Sequence, residues 1–68
     1  MMARLDLTMT DYWDSEKKRF IAYRQTLIKT NGVVRVYDEM SADYWNCRIV
    51  SIKYCASIDL YKYELKKL

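Results

Sequence analysis

The chain has no histidine and no proline, and only one glycine and two cysteines among its 68 residues. Each scarcity excludes something. Without histidine, the usual general base for an activated nucleophile is missing, and so is the commonest transition-metal ligand. One glycine cannot build a glycine-rich loop that cradles phosphate. Cys47 and Cys55 lie on a segment that reads as a strand, which would hold them roughly 25 Å apart. A disulfide needs Cα atoms within about 7 Å. Two free thiols are therefore expected, as suits a reducing, cytoplasmic interior. No apolar run approaches the roughly 18 residues of a membrane span, and charges break up the first residues, so no leader peptide is expected.

What is present points to an ordered domain. Hydrophobic residues make up 51% of the chain, and Trp13, Trp45, Phe20 and seven tyrosines supply the aromatics. Disordered chains lack both. The length suits a single domain, residues 1–68, near the lower limit at which one core is self-sufficient. A partner or a homodimer interface would add to its stability.

Periodicity sets the expected elements. Residues 3–9 alternate, with Ala3, Leu5, Leu7 and Met9 on one side, and read as a strand. Thr10 then offers a helix cap, and Trp13, Phe20 and Leu27 recur every seven residues, which predicts a helix ending at Asn31-Gly32. Val33 to Asp38 is a β-branched strand. Residues 40–46 read as a single helical turn or compact loop, and Arg48 to Tyr54 as a third strand with Val50, Ile52 and Tyr54 facing inward. Ser57 caps a last helix with a stripe of Ile58, Tyr61, Leu65 and Leu68. The order β-α-β-β-α predicts an α+β two-layer sandwich, a three-stranded sheet with helices on one face. The alternative is an all-β meander or barrel, in which 14–18 is a turn and 19–30 a strand. Adjacent apolar pairs (Phe20-Ile21, Leu27-Ile28) and the shortage of glycine and proline favour the helix.

Charge is segmented. Residues 1–16 carry net −3, residues 17–30 net +5, residues 31–46 net −2 and residues 47–68 net +3. Lys18, Arg19 and Lys29 form a basic patch in this pattern. Asp38 and Glu39 adjoin, but neighbours on a strand point to opposite faces and would not share a substrate. No catalytic constellation, cofactor site or metal site emerges.

The sheet face left uncovered in the α+β reading would display Arg35, Tyr37, Ile49 and Lys53, with Tyr44 and Trp45 as anchors on a neighbouring turn. Arginine and tyrosine are enriched at binding hot spots. The leading expectation is a small intracellular protein that inhibits or regulates a protein partner by steric occupation, as some phage-encoded inhibitors do by analogy. The alternative is a nucleic-acid-binding regulator, because basic and aromatic residues interleave at Arg35-Val36-Tyr37, Lys53-Tyr54 and Tyr61-Lys62-Tyr63. Three short fragments, Trp13-Asp14-Ser15-Glu16-Lys17, Arg48-Ile49-Val50-Ser51 and Tyr63-Glu64, resemble pieces of the RelE-like ribonuclease toxins of the BrnT type. That resemblance implies a third option, a histidine-free ribonuclease.

Overall fold

The β-branched run at 33–38 forms a strand, as its alternation predicts, with Val34 and Val36 fully buried. In a computed structural model describing residues 3–68, every regular element is a strand. These are β1 (Ala3–Asp6), β2 (Tyr12–Asp14), β3 (Arg19–Arg24), β4 (Val33–Asp38), β5 (Asp43–Cys55) and β6 (Leu60–Lys67). They form one mixed sheet in the order β1-β4-β5-β6-β3-β2. β1 pairs with β4 in parallel, and the other neighbours are antiparallel.

The expected α+β sandwich is therefore wrong, and the all-β alternative is the one that fits. The heptad spacing that suggested a helix has another origin. Trp13 and Phe20 stand directly opposite each other across the β2–β3 hairpin, and a four-residue turn places residues seven apart in register. Leu27, third in the supposed stripe, lies on the connection after β3 and is exposed. Phe20 and Ile21 are both buried although adjacent, because β3 is covered on its two faces. The last expected helix is instead β6, where Tyr61, Tyr63 and Leu65 alternate with Lys62, Glu64 and Lys66. Residues 40–46 close the β4–β5 hairpin and begin β5 rather than forming a helical turn.

Glycine scarcity misled the sequence reading because the turns do not use glycine. The three hairpins β2–β3, β4–β5 and β5–β6 each close with four residues, and each loop ends on a non-glycine residue in the left-handed region: Lys18 (φ 56°), Ala42 (φ 58°) and Asp59 (φ 55°). Asp14 Oδ1 accepts from the amides of Glu16 and Lys17 (3.0 and 3.1 Å), and Asp38 Oδ1 accepts from Met40 N (3.1 Å). These side-chain acceptors hold the loop backbone in place of intrinsic turn propensity.

The sheet must curl. Laid flat, six strands would set β1 and β2 about 24 Å apart, yet residues 7–11 joining them reach at most about 21 Å. The Thr8–Asp11 turn shortens that reach further. Curling turns one face inward, so Leu5, Phe20, Ala22, Val34, Val36, Cys47, Tyr63 and Leu65 form one core without a second layer. The 25–32 connection folds over this core. The buried Tyr63 hydroxyl donates to Thr26 O (3.1 Å) and accepts from Ile28 N (2.9 Å), while Ile28 packs on the cluster. Where the sheet edges approach, Arg24 donates to Asp6 O (3.0 Å) and makes a two-pronged pair with Asp11 (2.8 and 2.7 Å).

Candidate functional site

Three clefts run in series along one side of the curled sheet. The middle one, about 310 Å³, is walled by Trp13, Phe20 and Trp45, with Leu7, Tyr12, Asp11, Asp38 and Lys67 completing it. Trp13 meets Phe20 edge to face (centroids 4.8 Å apart), and Phe20 tilts against Trp45 (5.3 Å). The Lys67 ammonium sits over all three rings, 4.5 Å from Trp13, 5.3 Å from Phe20 and 4.7 Å from Trp45. Such a cation is held by the negative faces of the rings. Trp13 remains 39% exposed, so much of its surface is open to a ligand.

One end of this aromatic cleft opens into a basic one lined by Lys17, Lys18, Arg19, Lys66 and Lys67, again with Trp13. The strand pairing assembles it. Phe20 lies opposite Leu65 in the antiparallel β3–β6 pair, so the end of β6 comes beside the turn that begins β3. The two positive segments of the sequence converge there. Lys17, itself exposed, lies 3.9 Å from the half-buried Glu64, and a long pair with one partner in solvent neutralises little.

The opposite end is acidic, with Asp11, Asp38 and Glu39 beside Thr8, Met9 and Met40. Sequence reasoning set Asp38 and Glu39 on opposite faces of a strand. Both line this cleft, because Asp38 ends β4 and Glu39 already belongs to the turn. Asp11 is committed to the fold, its side chain being 0% exposed. Burial pushes its carboxyl pKa up, but hydrogen bonds from Arg24 and from the Thr8 amide and hydroxyl outweigh that and hold it below the ordinary range. Asp38 keeps its second oxygen free of protein donors among the described residues.

No family model, curated protein or solved structure matches this chain. Its chemistry is read from its own residues.

The residues expected at an interface divide between surfaces. Arg35, Tyr37 and Tyr44 come together on the outer face. Tyr37 and Tyr44 lie 5.6 Å apart, Arg35 sits 4.8 Å from the Tyr44 ring centroid, and Arg4 sits 4.0 Å from that of Tyr37. Lys53 lies farther along β5, opposite Lys62. Ile49 and Trp45 belong to the inner face and pack against the core. The register shifts between Ile49 and Ser51, so a bulge at Val50 reverses the facing of everything after it. Trp45, Cys47 and Ile49 point inward before the bulge; beyond it Ile52 and Tyr54 stand opposite Tyr63 and Tyr61 on that same side of the sheet, yet both are exposed. Counting Cys47 as a core residue would have placed Ile49 inward.

Within the basic patch, Lys18 and Arg19 line the basic cleft, whereas Lys29 sits on the 25–32 connection away from it. Sequence reasoning did not assign Trp13, Lys66, Lys67 or Asp38 to a site. Trp13 and the two lysines were absorbed into helices that do not form. Of the fragments that resemble a ribonuclease, Tyr63 has its hydroxyl engaged in the core, and Glu64 accepts from Ser51 Oγ (3.1 Å). Both cysteines are free, and burial raises the Cys47 thiol pKa to about 11 although Lys67 opposes the shift. Among the described residues, no group of three His, Cys, Asp or Glu could hold a metal, and no helix is long and apolar enough to cross a membrane.

Proposed function

We propose that the protein binds single-stranded nucleic acid, with a base in the aromatic cleft and its phosphates in the basic cleft. The observation that carries this reading is that the two clefts share Trp13 and Lys67. A nucleotide pairs a flat aromatic ring with an anion a few ångströms away, and a shared aromatic–cation wall matches both parts. Stacking on an aromatic ring contributes about 1–3 kcal/mol per base. A duplex keeps its bases stacked inside, so only a single strand can use Trp13. The acidic end of the groove repels phosphate and directs the backbone to the basic rim.

Fluorescence anisotropy with a labelled single-stranded oligonucleotide of mixed sequence tests this. Binding is expected at about 50 mM salt and falls steeply as salt rises, because each contacted phosphate releases counterions. Trp13→Ala weakens it, and replacing Lys18 and Lys66 by glutamine flattens the salt dependence. Absence of binding at low salt, or equal affinity for duplex, overturns the reading.

A second reading rests on the other surface. The exposed stack of Arg4, Tyr37, Tyr44 and Arg35 has the composition of a protein hot spot and supports docking of a protein partner that is thereby sterically blocked. A host protein retained by immobilised wild type, lost with Tyr37→Ala and insensitive to nuclease, would support it. Retention that is unchanged by Tyr37→Ala would exclude this face.

A further inference from the structure

The acidic end of the groove gives the aromatic cleft a means of choosing its base. We infer that Asp38 reads the exocyclic amino group of the bound base, so that the site prefers cytosine and adenine to thymine or uracil. The inference rests on the nucleic-acid reading of the same cleft and adds a specificity-determining residue to it.

The argument is one of polarity. A base that stacks on Trp13 with its phosphate at Lys17, Lys18 and Lys66 has its hydrogen-bonding edge toward the end of the cleft away from the lysines. Two carboxylates, Asp11 and Asp38, line the cleft there. Asp11 is not available, since Arg24 takes both of its oxygens and Thr8 N donates to one of them (2.9 Å). Asp38 uses Oδ1 to cap Met40 N (3.1 Å), which orients the carboxylate and leaves Oδ2 without a protein donor among the described residues. Cytosine and adenine present an amino donor on the relevant edge, whereas thymine presents a carbonyl acceptor that a carboxylate repels. The cleft, about 310 Å³, falls at the low end of the range for small-molecule sites, about 300–1,000 Å³. It suits one base rather than a stack of several.

The test compares labelled oligo(dC), oligo(dA) and oligo(dT) of about eight nucleotides, a length within a single-strand site, on wild type and on Asp38→Asn. Wild type is expected to bind oligo(dC) and oligo(dA) about tenfold more tightly than oligo(dT). The asparagine carbonyl keeps the Met40 cap, so the turn survives, and its amide nitrogen replaces Oδ2 with a donor. The preference then collapses or reverses toward oligo(dT). A purely electrostatic Asp38 would behave differently, because removing its charge would raise affinity for all three strands alike and leave their ratio unchanged. That result, or equal affinities on wild type, overturns the base preference while leaving single-strand binding intact. Failure of all three strands to bind overturns both readings.

Discussion

Arg24, at the end of β3, forms a two-pronged ion pair with Asp11, on the connection from β1 to β2, and the Asp11 side chain is wholly shielded from solvent. The same guanidinium donates to Asp6 O and Tyr23 O, so one side chain ties β3 to the connection leaving β1. It also fixes the wall of the aromatic cleft that Asp11 contributes.

Removing Arg24 strands the Asp11 carboxylate in a place that water does not reach. Arg24→Met is expected to cost about 3 kcal/mol, the usual penalty for breaking a buried pair, read as a lower urea midpoint with an unchanged slope. Acid should act on the same bond. Asp11 titrates below its ordinary 3.8 when folded, so its stabilisation is fully present above that value and is lost as pH falls through the folded pKa. Asp11→Asn should therefore be less stable at neutral pH and show a flatter acid limb than wild type.

The left-handed turn residues give a prediction of opposite sign. Ala42 adopts φ 58°, which an L-residue does at a cost and glycine does freely. Ala42→Gly is expected to stabilise the protein by about 0.5–1 kcal/mol. Gly32→Ala should destabilise it by a similar amount, because Gly32 holds φ 99° with open space around it and only the backbone is strained. Paired urea melts of the two variants check both signs.

The thiols should differ in reactivity. Cys47 is fully buried and its pKa is raised to about 11, whereas Cys55 is half-buried at the end of β5. Since the thiolate is the reacting species, a disulfide reagent at neutral pH should titrate Cys55 promptly and Cys47 only after unfolding. Two equally fast thiols would contradict the register that puts Cys47 in the core.

Lys67 and Trp13 link stability to ligand binding. The ammonium lies 4.5 Å from the indole centroid, an interaction contributing about 0.5–2 kcal/mol depending on exposure. Lys67→Met should lower stability modestly and shift the tryptophan emission. In the nucleic-acid reading it should also weaken binding of single strands, since phosphate and rings share this cation.

Much of the local structure was legible in the residues. Val33 to Asp38 forms the strand its alternation predicts, the cysteines are free, and the opposed charge segments are plain in the chain. The β2–β3 hairpin was legible only in the all-β alternative, with its turn at 14–18, because Trp13 and Phe20 satisfy a helical stripe and a cross-strand pair equally well. The turns of this glycine-poor chain rely on aspartate acceptors and left-handed Lys18, Ala42 and Asp59, which carry no strong turn signal. The bulge at Val50 moved Ile49 to the core face and with it part of the expected interface.

Composition and alternation by themselves determined that the chain would order around an aliphatic and aromatic core, without histidine chemistry and with separated positive segments. Only the tertiary structure decided what those segments do. Pairing of β3 with β6 brings Lys17, Lys18 and Arg19 beside Lys66 and Lys67, and curling sets Trp13, Phe20 and Trp45 around them. The reason is physical: hydrophobic period specifies a face locally, whereas the β3–β6 partnership depends on contacts between residues about forty positions apart. In a chain so short of glycine, proline and histidine, the site is made by that partnership and not by any motif.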